Sequence, residues 1–407
     1  MGHETDLPRD VVVALGLALA GGWIATKLHV SAIIGYIAAG VIISPFTPGF
    51  VGDIDRLRLI ADIGVVLLLF GIGVEFSLSD LARAGTRIVV GALAQTAAVF
   101  GCVVALALLL GVARDAALYA GAAVAIGSSV VIIRILDDRN EKGSAAGRDA
   151  ISWSIVQDLA AIALILVIGA ITSPDSDRPL ALSATIAALT ALLFVGGMMI
   201  VGSRVVPFLL ERVAREPSRE LFYLSVAALA LGTALVAEYA GLSLALGAFI
   251  AGLVVSESDV SHRVLHDLLP TRDVFAVIFF VAAGMLIRPG ILGDEWAAVL
   301  ALSAAIILLK PVVAWVCLRI GGRDTATSAV AAALLVPAAE FSFLIADAGL
   351  SDGVISEDAF AVILASTVIS ILVGPPAVAM TARAANWVRR RDAAESALRP
   401  DRTRGPA

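Results

Sequence analysis

The chain has 407 residues, of which 59% are hydrophobic and only 16% charged. Soluble proteins carry about 25% charged residues, so the composition excludes a cytosolic globular enzyme; it also excludes disorder, which requires low hydrophobicity and high net charge. The formal net charge of −6 says less than where the charges sit.

Apolar runs of about 20 residues can cross a hydrocarbon layer of roughly 30 Å as helices. Thirteen are expected here, making an all-α polytopic membrane protein. The first, 10–28, follows the amino terminus MGHETDLPRD, whose Glu4, Asp6 and Asp10 stand where a signal peptide wants positive charge. This helix is therefore expected to remain. Lys27 and His29 separate it from 31–45, which contains GYIAAGVIIS. Then come 57–76, 86–111 and 115–136, the last with Gly127, Ser128 and Ser129 at its middle. Segment 150–172 carries Gln157 and Asp158. Segment 180–202 reads as a linker. The second half continues with 220–238, 242–256, 273–287 and 296–319, the last with Lys310 at its middle, then 325–348 and 356–384. Pro337 and Glu340 sit in the twelfth segment. Residues 385–407 form a short Arg-rich tail, expected to lie near anionic lipid. The two cysteines, Cys102 and Cys317, lie inside apolar runs and imply no disulfide framework.

The cations test this count. With the amino terminus outside, the outer connections hold 6 of the 29 Lys and Arg residues, the inner connections and tail hold 22, and Lys310 remains within a span. The positive-inside rule therefore places the amino terminus outside and the carboxyl terminus in the cytoplasm, in a plasma-membrane protein.

The chain also repeats. GYIAAGVIIS at 35–44 resembles GAFIAGLVVS at 247–256, and LFGIGVE at 69–75 loosely matches FVAAGML at 280–286. The offsets, 212 and 211, make the first six segments (10–172) a repeat of the last six (220–384). One linker span between them inverts their orientation. Inverted repeats are a transporter signature, with the site near the midplane; the bland reading is that small-residue patterns recur wherever membrane helices pack closely.

Ionisable groups deep in a span are functional candidates by default. Asp158, Lys310 and Glu340 lie well inside theirs, while Asp62, Glu75 and Glu238 lie nearer the ends. A buried carboxylate tends to take up a proton, which suits a carrier that exchanges that proton for a cation. Gln157 adds a carbonyl oxygen without charge. Gly-Ser-Ser and Pro337 interrupt the fifth and twelfth segments at corresponding places. Paired interruptions mark a transport site, where freed carbonyls and hydroxyls can coordinate a monovalent cation. Asp158 and Glu340 are the expected partners of Lys310. Ionised together, the three sum to −1, which one proton or one monovalent cation neutralises, so their exchange would be electroneutral.

No GxGxxG follows a strand, and no HExxH, CxxC or Walker loop occurs. Nothing in the sequence asks for a cofactor or a nucleic acid, and no enzyme is expected. His262 and His266 fall in an inner loop and read as a solvated face.

In order along the chain, GYIAAGVIISP, IGVVLLLFGIGVEF, the serine pair, QDLAAI, GLSLALGAFIAGLVVSES, FFVAAGM and EFSFLIADAG resemble the Kef-type monovalent cation/proton antiporters of the sodium/proton exchanger superfamily. The resemblance runs over about residues 15–375. It implies thirteen helices, a panel of dimerising helices, a core with two crossed broken helices, and a homodimer. It assigns cation and proton binding to Asp158, an electroneutral position to Gln157, and the unwound crossing to Ser128 and Ser129. Lys310 matches the core basic residue and Glu340 the acid of the second broken helix. Val130 stands where many relatives have threonine, which removes an oxygen. The regulatory nucleotide-binding domain usual in the family is expected to be missing. The expected activity is exchange of K+ or Na+ for H+. The rivals are a channel or uniporter, a transporter-like sensor, and an intramembrane aspartyl protease, whose Gly-rich carboxylate motif is absent.

Overall fold

A computed structural model describes residues 6–28, 30–47, 53–75, 85–172, 196–216, 218–240, 244–287, 290–338 and 340–397. Regular structure among them is helical throughout. The helices are α1 (Asp6–Lys27), α2 (Ala32–Ile42), α3 (Ile54–Glu75), α4 (Thr86–Leu109), α5 (Arg114–Ala125), α6 (Ser129–Asp138) and α7 (Ala145–Thr172). After 173–195 come α8 (Ser203–Ala214), α9 (Arg219–Tyr239), α10 (Leu244–Ser256) and α11 (Ser261–Met285). The last four are α12 (Trp296–Ile320), α13 (Thr325–Leu334), α14 (Glu340–Ser351) and α15 (Glu357–Ala397).

Twelve of the thirteen apolar segments coincide with a helix or a pair of half-helices; the linker segment falls largely outside the described residues. Among the described residues, seven helical stretches, α5 with α6 counted as one, are long and apolar enough to cross a bilayer, and eight if the bent α11 is one span. The others are short (α2, α10, α13 and α14) or, like α3, rich in charge through Asp55, Arg56, Arg58, Asp62 and Glu75. One expectation is corrected. His262 and His266 lie not in a loop but in the first limb of α11, which bends by 50° near Pro270. Proline there lacks an amide hydrogen and crowds the preceding turn. His266 still faces solvent and contacts Asp267 at 3.0 Å.

Extended helix–helix packing among the described residues falls within two bundles. The first, called the panel here, contains α1–α3 and α8–α11, and the second, the core, contains α4–α7 and α12–α15. Small residues bring the panel helices into backbone contact. A Cβ on Gly40 would lie 2.0 Å from the Val281 carbonyl oxygen and 2.9 Å from the Gly284 Cα. A Cβ on Gly252 would lie 2.1 Å from the Phe70 oxygen and 2.9 Å from the Gly73 Cα. In a bilayer, where burying apolar side chains gains nothing over lipid, such close packing supplies the association energy. Across the seam between bundles, side chains meet. Phe280 of α11 meets Phe343 of α14 edge-on, with ring centroids 5.6 Å apart. Nearby, Asp62 and Asp347 line a cavity of about 10 Å³.

Candidate cation and proton site

The core is built around two interruptions. The chain leaves the helix after Ala125; Ile126 is extended, and α6 restarts at Ser129 with Ser128 as its cap. The Ser128 Oγ accepts the Val131 amide at 3.2 Å, which satisfies one donor of the new first turn. The second interruption lies between Leu334 and Glu340. The two meet: the Ser128 amide donates to the Pro337 carbonyl at 2.9 Å. Ser342 Oγ donates to the Ala123 carbonyl at 2.7 Å, and Ser370 Oγ accepts the Ala338 amide at 3.0 Å. The crossing is therefore stitched by backbone and serine hydroxyls, as irregular backbone at membrane depth must be.

Gln157 secures the first break from α7. Its Oε1 accepts the Gly127 amide at 3.1 Å, and its Nε2 donates to the Ala125 carbonyl at 3.2 Å and to Gln95 Oε1. Gln95 Nε2 reaches the same Ala125 carbonyl at 3.4 Å, and Trp153 Nε1 donates to Gln95 Oε1 at 3.0 Å. Gly127 is required by proximity, since a Cβ there would stand 2.9 Å from Gln157 Oε1. Asp158, the next residue on α7, is 7% exposed.

Lys310 is fully buried, and its Nζ donates to the Ile126 carbonyl at 3.0 Å. The expected partners were Asp158 and Glu340; the partner seen among the described residues is this backbone oxygen, and the Glu340 side chain lies outside the described residues. The placement makes physical sense, because a helix C-terminus carries partial negative charge and α5 ends here inside the bundle. Lys310 is presented by a π-helical turn, Ala305–Leu309, directly before it. Pro311 follows and cannot supply the usual amide, so the wider turn re-registers the helix.

Ser128, Gln157 and Lys310 thus converge on residues 126–128, and Asp158 adjoins them in sequence. Ser129 opens α6 and is half-buried, while Val130 is 56% exposed. Glu340 is the first residue of α14; its side chain lies outside the described residues. Sequence reading missed Gln95 and Trp153. Both are uncharged, so a search for ionisable groups passes over them. The available signal was a glutamine in the middle of an otherwise apolar segment. No group of three His, Cys, Asp or Glu that could hold a metal ion occurs among the described residues.

Irregular backbone at the centre of an apolar bundle, beside an ionisable group, is the arrangement of secondary transporters. The comparisons with known proteins agree. The family model for the sodium/hydrogen exchanger transmembrane domain matches residues 14–384, and the chain belongs to this family. It is 40% identical over 381 residues to the putative cation/proton antiporter YbaL of Escherichia coli (strain K12), covering 92% of this chain and 68% of that protein. It is 30% identical over 352 residues to the glutathione-regulated potassium-efflux system protein KefC of Salmonella heidelberg (strain SL476), covering 86% of this chain and 56% of that one. The Kef-type resemblance read from the motifs is thereby borne out. The sodium proton antiporter MjNhaP1 from Methanocaldococcus jannaschii superposes with a TM-score of 0.67 at 18% identity, over 92% of this chain and 97% of that one. That likeness bears on the fold.

Proposed function

We propose that the chain is a secondary antiporter that exchanges a monovalent cation, K+ or Na+, for H+, with the two competing at Asp158. The observation that carries this reading is the crossing of two broken helices, joined at 2.9 Å through Ser128 and Pro337, next to the helix bearing the buried Asp158. The names of the relatives, cation/proton and potassium-efflux antiporters, support the substrate class. Exchange is electroneutral: Gln157 contributes no charge, and Lys310 is already committed to a backbone carbonyl, which leaves Asp158 to carry either ion. Ser128 and Ser129 contribute oxygens or half-helix polarity to the cation, and Glu340 supports the second half-helix.

Alternating access follows from the two bundles, the core moving along a seam of side chains against the panel. The panel contacts support an inverted repeat, because the pair Gly40–Gly284 becomes Gly252–Gly73 when the 212 and 211 offsets are applied. The panel also supplies a homodimer surface, and the charge asymmetry sets the amino terminus outside. Residues 1–384 form the transport domain, and 385–407 form a cytoplasmic tail.

The test uses the full chain in liposomes with an acid interior and a trapped pH dye. K+, Na+, Li+ or choline is added outside, with and without a voltage clamp at zero. Dequenching by K+ or Na+ that is insensitive to the clamp, and abolished by Asp158→Asn in a folded protein, is the expected result. Full exchange in Asp158→Asn refutes the site, and cation flux without proton movement points to a channel.

A further inference from the structure

A second cavity, of about 420 Å³, opens where the start of α4, the first half of α7 and the end of α12 come together. Its size is that of a small-molecule site. Arg87, Arg323 and Thr86 line it on the polar side, and Trp153, Cys317 and Leu318 on the apolar side. Two guanidinium groups share it for a structural reason. Gly322 adopts φ +89°, a conformation that suits glycine, and this turn carries Arg323 to the cavity. A Cβ at Gly322 would stand 3.6 Å from Arg87 Nη1, so the Arg87 side chain lies over the same turn. The opposing charge is Asp149 on α7, which is 5% exposed and accepts from Arg323 Nη2 at 2.6 Å. Among the described residues, two cations against one carboxylate leave the cavity net positive. The first turn of α4 adds no acidic residue, and its amino-terminal end is itself the positive pole of the helix.

We infer that this cavity is a binding site for a phosphate-bearing anion, with the phosphate between Arg87 and Arg323 and an apolar portion against Trp153, Cys317 and Leu318. Guanidinium groups bind phosphate oxygens in pairs, and basic pockets between membrane helices are the usual seats of anionic head groups. Thr86 supplies a neutral hydroxyl beside the same phosphate. The site is also wired to the helix crossing. Trp153, which forms part of its wall, donates to Gln95, and Gln95 accepts from Gln157. Occupancy therefore presses on the side chain that holds Gly127.

Cys317 provides a reporter that needs no transport. In the Cys102→Ser chain, purified in neutral detergent, Cys317 is the one remaining cysteine. Its rate of modification by a water-soluble maleimide is measured with dihexanoyl phosphatidylglycerol, dihexanoyl phosphatidylcholine or inorganic phosphate at constant ionic strength. The anionic lipid should slow labelling saturably, by about tenfold, the scale of one charge-assisted hydrogen bond; phosphatidylcholine, whose head group carries a cancelling cation, should not. Arg87→Gln should remove the protection, and Arg323→Lys should weaken it by loss of the planar fork. Arg87 is exposed, so its substitution leaves the fold intact. Protection by inorganic phosphate alone assigns the site to free phosphate compounds; protection by phosphatidylglycerol alone assigns it to lipid. Equal labelling with phosphatidylglycerol, inorganic phosphate, phosphatidylcholine and no addition overturns the inference, as does unaltered protection in Arg87→Gln. Neither outcome bears on whether Asp158 exchanges ions.

Discussion

Gln157→Leu removes the side chain that ties α7 to the first helix break. Leucine fills a similar volume and neither donates nor accepts. Glutamine at this position makes three hydrogen bonds, yet the cost is not three bonds. The Ala125 carbonyl keeps the Gln95 amide at 3.4 Å, and Gln95 Oε1 keeps the Trp153 indole at 3.0 Å. One group is orphaned, the buried Gly127 amide. An unsatisfied buried donor costs about 1–3 kcal/mol, or roughly 5- to 150-fold in the unfolding constant at 1.4 kcal/mol per decade. The assay is equilibrium unfolding of the full chain in mixed micelles by increasing SDS, followed by tryptophan fluorescence. Val167→Ala, on the lipid-exposed side of the same helix, serves as the control and should stay within about 0.5 kcal/mol. A Gln157→Leu protein as stable as wild type would refute the idea that the break depends on this amide. A loss well above 3 kcal/mol would show that the Gln95–Gln157–Trp153 group collapses as one unit rather than bond by bond.

Ser128→Ala should cost about 1 kcal/mol in the same titration, the scale of a lost helix cap, whereas Ser129→Ala, one residue past the cap, should cost less. Gly252→Ala places a Cβ 2.1 Å from the Phe70 oxygen and should lose at least the 1–3 kcal/mol typical of overpacking. Gly40→Ala should lose a comparable amount if the two contacts are related by the repeat, while Gly16→Ala, with nothing within 4 Å, should lose none. Unequal losses at Gly40 and Gly252 would count against the repeat. Arg323→Gln strands the buried Asp149 carboxylate; because Arg323 is half exposed, the loss should be about 1–2 kcal/mol, below that of a fully buried pair. Restoring stability with Asp149→Asn in the same chain checks that assignment.

Much of this fold was legible because each level left a mark in the sequence. Apolar runs gave the helices, and Gly127-Ser128-Ser129 and Pro337 marked the two breaks before any coordinate was known. Their mutual contact was not legible, since nothing local in either stretch says that the Ser128 amide meets the Pro337 carbonyl. Asp158 was found by the cost of burying its charge. Lys310 was found by the same cost, but its bond to the Ile126 carbonyl was not foreseen, because side-chain charges are visible in a sequence and the polarity of a helix end that exists only after folding is not. Gln95 and Trp153 escaped for a related reason: their importance lies in three hydrogen bonds, Gln95 to the Ala125 carbonyl and the Gln157 amide and Trp153 to Gln95, which no composition or spacing records. The first limb of α11 was read as a loop because its charges, Arg263 and Asp267, mask a helical repeat in which Asp267 pairs in space with Arg219.

The two kinds of seam in this molecule differ in stiffness. Where Gly40 meets Gly284 and Gly252 meets Gly73, peptide oxygens rest against α-carbons with no side chain between them. Such a joint has no rotamers to exchange, and any slide along it brings backbone atoms into collision. The boundary between the bundles is lined instead by rings such as Phe280 and Phe343 and by a small void, and rings can turn to let one surface pass another. Elastic compliance is therefore greater at the boundary between the bundles than at the glycine contacts inside the panel.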